Sequence, residues 1–210
     1  MTNSKNLDSI FGVQSRTTTK LNNKNNKNRK TRVSYIGYTN YWTYQPNEIL
    51  DTEELRKKFL QAVCWINKAH KMIKRDKFIH KGQAGGFYDD QPCIIRGGLG
   101  QGKPMINESQ VWFNGDAKKG LDHETFGIRW FPSGGEVKGF CKTARKPYDL
   151  LVCVSLLAFK HAFDNPVVFR FSSDGDNADW ATAKHLFASI IIERSFDDEI
   201  FPEEAHLETA

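Results

Sequence analysis

The segment that most constrains the fold is residues 147–163, PYDLLVCVSLLAFKHAF. On a helix, Leu150, Leu151, Val152, Val154, Leu156, Leu157, Phe159 and Phe163 surround most of the circumference. A helix that is apolar almost all round has to be covered on both sides, so these residues are predicted to form the centre of the core. Pro147 suits the first helical position and Asp149 the positively charged first turn. Asp164-Asn165-Pro166 stops the helix. Nowhere does an apolar run approach the roughly 20 residues of a membrane span.

Strand-like runs flank this helix, at 137–142 before it and 167–171 after it. A strand, a crossover helix and a second strand form a β-α-β unit with parallel strands and, nearly always, a right-handed connection. Cys93–Arg96, Gln110–Asn114 and Thr125–Phe131 also alternate as strands, with turn signals at Asn114-Gly115 and Ser133-Gly134-Gly135. The run at 125–131 is expected to turn through Pro132–Glu136 and pair with 137–142 as a hairpin.

Residues 52–75 make an amphipathic helix, with Leu55, Phe59, Ala62, Ile66, Ala69 and Ile73 on one face. Asp51 fits its N-cap, Glu53 and Glu54 its first turn, and Lys74, Arg75 and Lys77 its end. Lys57, Lys68, Lys71 and Arg75 lie opposite the stripe, where they either meet phosphates or simply face water. A last helix is expected at 179–194, capped by Asp179. The predicted class is therefore α/β in the α+β sense. It has a mixed, mainly antiparallel sheet with one β-α-β crossover, a central buried helix 147–163 and flanking helices 52–75 and 179–194.

The net charge of +5 is unevenly spread. Residues 1–32 hold eight lysines and arginines against one acid, Asp8, a net of +7, which leaves −2 for the rest of the chain. This arm, clearest in LNNKNNKNRKTR, has too little apolar surface to offset the entropy of ordering. The expected organisation is a disordered basic arm at 1–32, a globular domain at 33–195 and a frayed acidic end at 196–210. Lys20, Lys24, Lys27, Arg29, Lys30 and Arg32 of the arm would attract nucleic acid without sequence preference, unless the arm is only a solubility tail. Tyr35, Tyr38, Tyr41, Trp42 and Tyr44 follow it. They either stack on single-stranded bases or, as Tyr/Thr alternation favours, pack as an ordinary strand.

Two local patterns limit the chemistry. Gly97 to Pro104, GGLGQGKP, resembles a phosphate loop but has Pro104 where Ser or Thr should bind the metal, and no helix follows, so it reads as a connection between strands. Cys64, Cys93, Cys141 and Cys153 form no CxxC pair and no zinc spacing, and read as buried free thiols of a reducing compartment. The N-terminus lacks the apolar stretch of a secretory signal, which points to a cytoplasmic protein without a membrane partner.

The crossover gathers distant loops on one rim of the sheet, the carboxyl edge where open α/β sheets place ligands. Asn114, Asp116, His123, Glu124, Lys142, Thr143, Arg145, Asp174 and Asp176 are expected to be neighbours there. Asn114, Lys142, Thr143, Arg145 and Lys146 around a helix start would make an anion site suited to phosphate. Alternatively Glu124, Asp174 and Asp176 would hold a divalent metal, with His123, Glu124 and Lys142 as the catalytic groups of a nuclease or phosphoesterase. As a third alternative, Arg145 pairs with Asp174, and the rim fastens loops together.

Several motifs carry a likeness. Phe113-Asn114-Gly115, His123-Glu124-Thr125-Phe126, the run Phe140-Cys141-Lys142-Thr143-Ala144-Arg145-Lys146-Pro147-Tyr148-Asp149, Ser173-Asp174-Gly175 and Trp180 resemble a group of small uncharacterised proteins encoded by tailed bacteriophages. The likeness covers about residues 110–195. It implies a viral accessory protein in a bacterial cytoplasm and carries no reaction type. The function expected is binding of an anionic partner, nucleic acid or a phosphate-bearing ligand, through the arm and the sheet edge. The alternatives are the metal-dependent hydrolase and an inhibitor that binds a host protein.

Overall fold

In the computed structural model, the structure describes residues 38–45, 52–77, 88, 90–130 and 135–200, with side chains as far as residue 192. The basic arm, Tyr35, Asp51 and residues 201–210 lie outside these. The elements run β1 (Thr39–Tyr44), α1 (Thr52–Arg75), β2 (Met105–Asn107), β3 (Gln110–Phe113), a 3-10 turn (Ala117–Lys119), β4 (Phe126–Arg129), β5 (Val137–Lys142), α2 (Asp149–Phe163), β6 (Phe169–Ser173) and α3 (Asn177–Ile200). This is a mixed α+β fold.

The apolar helix is central as its sequence demands. In α2, Leu151 to Phe159 are buried without a break, and α1 and α3 pack against it. It starts at Asp149 rather than Pro147, because residues 147 and 148 form a turn that leads into it. The α1 stripe is buried throughout, joined by Val63 and Trp65. Lys57 on the opposite face pairs with Glu53 at 3.0 Å in the ordinary i,i+4 manner and faces water. Between buried Val63 and Trp65, Cys64 points outward, which corrects the expectation of a buried thiol.

Two three-stranded sheets replace the single sheet foreseen, in the orders β5-β1-β6 and β2-β3-β4. β1 is antiparallel to both β5 and β6. The crossover strands are therefore parallel to each other, as expected, but β1 lies between them. The expected hairpin of 125–131 with 137–142 does not form. One edge of β5 is taken by β1, and β4 pairs with β3 instead. The two sheets touch where Glu124 Nα donates to the Lys142 carbonyl at 3.2 Å. Cys93–Arg96 is no strand, and only Arg96 bridges to Asn114.

Alternation along β1 decides the layering. Asn40, Trp42 and Tyr44 face the core, where Trp42 meets Phe126 with ring centroids 5.0 Å apart and Tyr44 meets Phe163 at 5.4 Å. Phe171 of β6 stacks on Trp180 of α3. Val111 and Phe113 of β3, with Phe126 and Ile128 of β4, complete the same core. Gly139 of β5 stands opposite Trp42, and a Cβ there would lie 2.3 Å from the indole, so the close approach requires glycine. Among the described residues no helix is long and apolar enough to cross a membrane.

Candidate functional site

The predicted rim exists, and Thr39 is its centre. Its register partner is Lys142, and its carbonyl accepts the Asp174 backbone N–H at 3.0 Å. Lys142 and Asp174 thus lie at one end of the sheet, on either side of β1. Asn114 and His123 join from the second sheet. The Asn114 amide donates to the carbonyls of Gly98 and His123, and its oxygen accepts from the backbone of Gly115 and His123.

Most of these side chains are spent on one another or on the backbone. His123 Nδ1 lies 2.8 Å from the Lys142 carbonyl, which can only accept, so Nδ1 carries the proton. A Glu124 carboxylate oxygen accepts the Lys142 backbone N–H at 2.7 Å. Asp116 caps the 3-10 turn and accepts from Arg96. Lys146 donates to the carbonyls of Gly120 and Asp122.

Thr143 is turned inward. Its hydroxyl donates to Asp149 at 2.7 Å, and the Asn40 amide donates to the same oxygen at 2.9 Å. Burial pushes the Asp149 carboxyl up to about 6, against the hydrogen bonds of Thr143, Asn40 and Cys153, which pull it down. The anion at the positive start of α2 is thus supplied by the chain itself, which corrects the expectation of an external phosphate there.

Arg145 is engaged by Asp179, not by Asp174. Its Nε and one terminal nitrogen reach the two Asp179 oxygens at 3.1 and 3.2 Å, and its guanidinium lies over the Tyr38 ring at 4.6 Å. Residues 144 and 145 both adopt left-handed backbone, and this clamp holds the strained turn in place. The N-cap of α3 is Asp176, which accepts from the backbone N–H groups of Ala178 and Asp179, while Asp179 accepts that of Asp176 in return. This reciprocal box replaces the simple Asp179 cap and moves the helix start to Asn177.

Glu124, Asp174 and Asp176 are therefore not a ligand set. Among the described residues no group of three or more His, Cys, Asp or Glu is disposed to hold a metal ion. Lys142 is exposed on the rim, as are His123, Asp174 and Asp176, and its ammonium lies 6.0 Å from the Phe140 ring.

Phe140 leads to a surface beyond the rim. On the solvent side of the β5-β1-β6 sheet, Phe140 and Tyr41 are register partners, 56% and 42% exposed. Ser172 continues their row on β6. The next row is Lys138, Thr43 and Arg170. Glu136 lies beside that row, 2.8 Å from both cations, and the Lys138 hydrogen bond, with Arg170, holds its carboxyl below the ordinary range. A depression of about 720 Å³ runs along this part of the sheet, bounded by Tyr41, Lys138, Phe140, Arg170 and Phe171 of the strands and by Lys160 of α2.

Of the aromatic run, Tyr38, Trp42 and Tyr44 are buried, so they give neither a stacking surface nor an apolar patch for a protein partner. One sequence signal does find the platform. In VKGFCK, Phe140 shares its strand phase with Lys138 and Lys142, and an aromatic in phase with two lysines faces water. Compared with family models, curated proteins and solved structures, the chain gives no match.

Proposed function

We propose that this protein binds single-stranded nucleic acid on the open face of the β5-β1-β6 sheet. The observation that carries this reading is the adjacency of two exposed rings, Tyr41 and Phe140, between cationic side chains of both neighbouring strands. Base–aromatic stacking tolerates any sequence, because every base has a π-face. Lys142 would draw the phosphates, while Lys138 and Arg170 share Glu136 and leave one net positive charge beside the rings. The Lys/Arg of residues 1–32 would add attraction without base contacts. On the motif likeness of residues 110–195, we read the role as that of a phage accessory protein in a bacterial cytoplasm.

The test is fluorescence anisotropy with a labelled oligothymidylate at low salt. Full-length protein retains the strand, and a Tyr41→Ala/Phe140→Ala double variant loses about 1–3 kcal/mol per stacked base. Deleting residues 1–32 weakens binding and flattens its salt dependence. An oligonucleotide that full-length protein fails to retain at low salt would end the proposal.

A further inference from the structure

A second basic surface lies in a groove of about 580 Å³ between the end of α1 and the segments at 92–96 and 102–106. Three separate stretches of chain send cations to it. Lys74 and Lys77 come from α1 and its exit, Lys103 from the glycine-rich connection, and Arg96 from the segment between them. His70 lines the wall as well, and among the described residues no carboxylate does. The floor is apolar, made by Ile73, Ile94, Ile95 and Ile106.

Balancing the negative end of a helix explains lysines in its last turn, but Lys103 belongs to no helix. Arg96 is already committed to Asp116, at 3.1 and 3.2 Å, and the nearby Asp76 to Arg75. Lys74, Lys77 and Lys103 are all exposed, and no described carboxylate pairs with them. The His70 imidazole feels the excess charge, since burial first and Lys74 second push its proton affinity down.

The walls are fixed. The Asn67 amide donates to the Ile106 carbonyl at 3.2 Å, tying α1 to β2. The connection closes on itself as Gly97 Nα donates to the Gln101 carbonyl at 2.9 Å, and Gly100 and Gly102 supply the left-handed turns that bring Lys103 round. The stretch that resembled a phosphate loop thus presents its lysine to a cationic groove, without the helix or the metal-binding hydroxyl of such loops.

We infer that this groove is a binding site for a small phosphorylated ligand with an uncharged body, of nucleotide size. Its volume lies in the range of ordinary ligand pockets. The phosphates would sit among Lys74, Lys77 and Lys103, and the body against the isoleucine floor. No metal is required, because lysines alone neutralise the phosphate charge.

The probe is ADP in the presence of EDTA, titrated calorimetrically into the full chain, with inorganic pyrophosphate as the arm that lacks a body. Saturable one-to-one binding of ADP, tighter than pyrophosphate, is expected. A Lys74→Ala/Lys103→Ala variant, both residues being exposed, keeps its fold by circular dichroism and binds ADP at least about tenfold more weakly, the equivalent of 1.4 kcal/mol. Tyr41→Ala/Phe140→Ala leaves ADP binding unchanged, and the lysine variant still retains oligothymidylate, so the groove and the sheet face stand or fall separately. No saturable heat at millimolar ADP, equal affinity in the lysine variant, or loss of ADP binding in the aromatic variant would each overturn the inference. Pyrophosphate binding as tightly as ADP would overturn the role of the floor.

Discussion

Arg145 and Asp179 face each other as a two-pronged ion pair across 34 residues of sequence, one in the turn before α2 and the other in the first turn of α3. The Asp179 side chain is only 8% exposed, while Arg145 is about half exposed. Arg145→Ala strands that carboxylate beside Asp149 and releases a left-handed turn. The expected loss is about 1–3 kcal/mol, discounted from a fully buried pair because water screens the arginine. Arg145→Lys recovers little, because an ammonium cannot make the planar fork. Urea unfolding of the two variants measures both effects.

That pair also shows how far the sequence could be read. The apolar circumference of α2 and the period of α1 made both helices plain, and the crossover correctly brought Lys142 and Asp174 to one rim. Which acid Arg145 would choose depended on the true start of α3, which Asp176 and Asp179 decide jointly. The insertion of β1 between β5 and β6 was hidden for a different reason: strand pairing is non-local, and Thr39–Tyr44 has the same alternation whichever partners it takes. Phe140 was legible from its phase with Lys138 and Lys142. Tyr41 was not, since it sits among tyrosines that turn inward.

Gly139→Ala tests the approach of β1 to β5. The added methyl meets the Trp42 ring at 2.3 Å, so the indole or the strand has to shift. Destabilisation of about 1–3 kcal/mol is expected, with a change in tryptophan emission. Equal stability of variant and parent in urea would show that Trp42 has room the structure does not give it.

Asp149 makes stability depend on pH with an unusual sign. Its carboxyl titrates near 6 when folded and near 4 when unfolded, so between those values the native state holds more protons. Unfolding free energy from this group is fully present below pH about 4 and is lost as pH rises through about 6, a change on the order of 2–3 kcal/mol. Asp149→Asn keeps an oxygen for Thr143 and Asn40 and removes the titration. Urea midpoints across this window should slope downward for the parent beyond what the variant shows, and parallel slopes would refute the assignment.

The thiols separate cleanly by position. Cys93, Cys141 and Cys153 are buried, and burial pushes each well above an ordinary thiol, whereas Cys64 is on the surface. One equivalent of thiol should react promptly with a chromogenic disulfide at neutral pH, and three only after denaturation. A Cys64→Ser variant should lose the prompt phase and keep its unfolding free energy within the small range of surface substitutions, about 0.5 kcal/mol.

Phe140→Ala separates binding from folding. The ring is largely in water, so stability should change by no more than about 0.5 kcal/mol while oligonucleotide affinity falls. A large drop in the unfolding midpoint would instead make Phe140 a packing residue.

β1 comes first among the described strands yet lies in the middle of its sheet. As the polypeptide leaves the ribosome, Thr39–Tyr44 emerges with both hydrogen-bonding edges bare, and its partners exist only once residues 137–142 and then 169–173 have been made. Closure of this sheet is therefore a late, long-range event, the kind that slows folding and leaves a nascent strand open to mispairing.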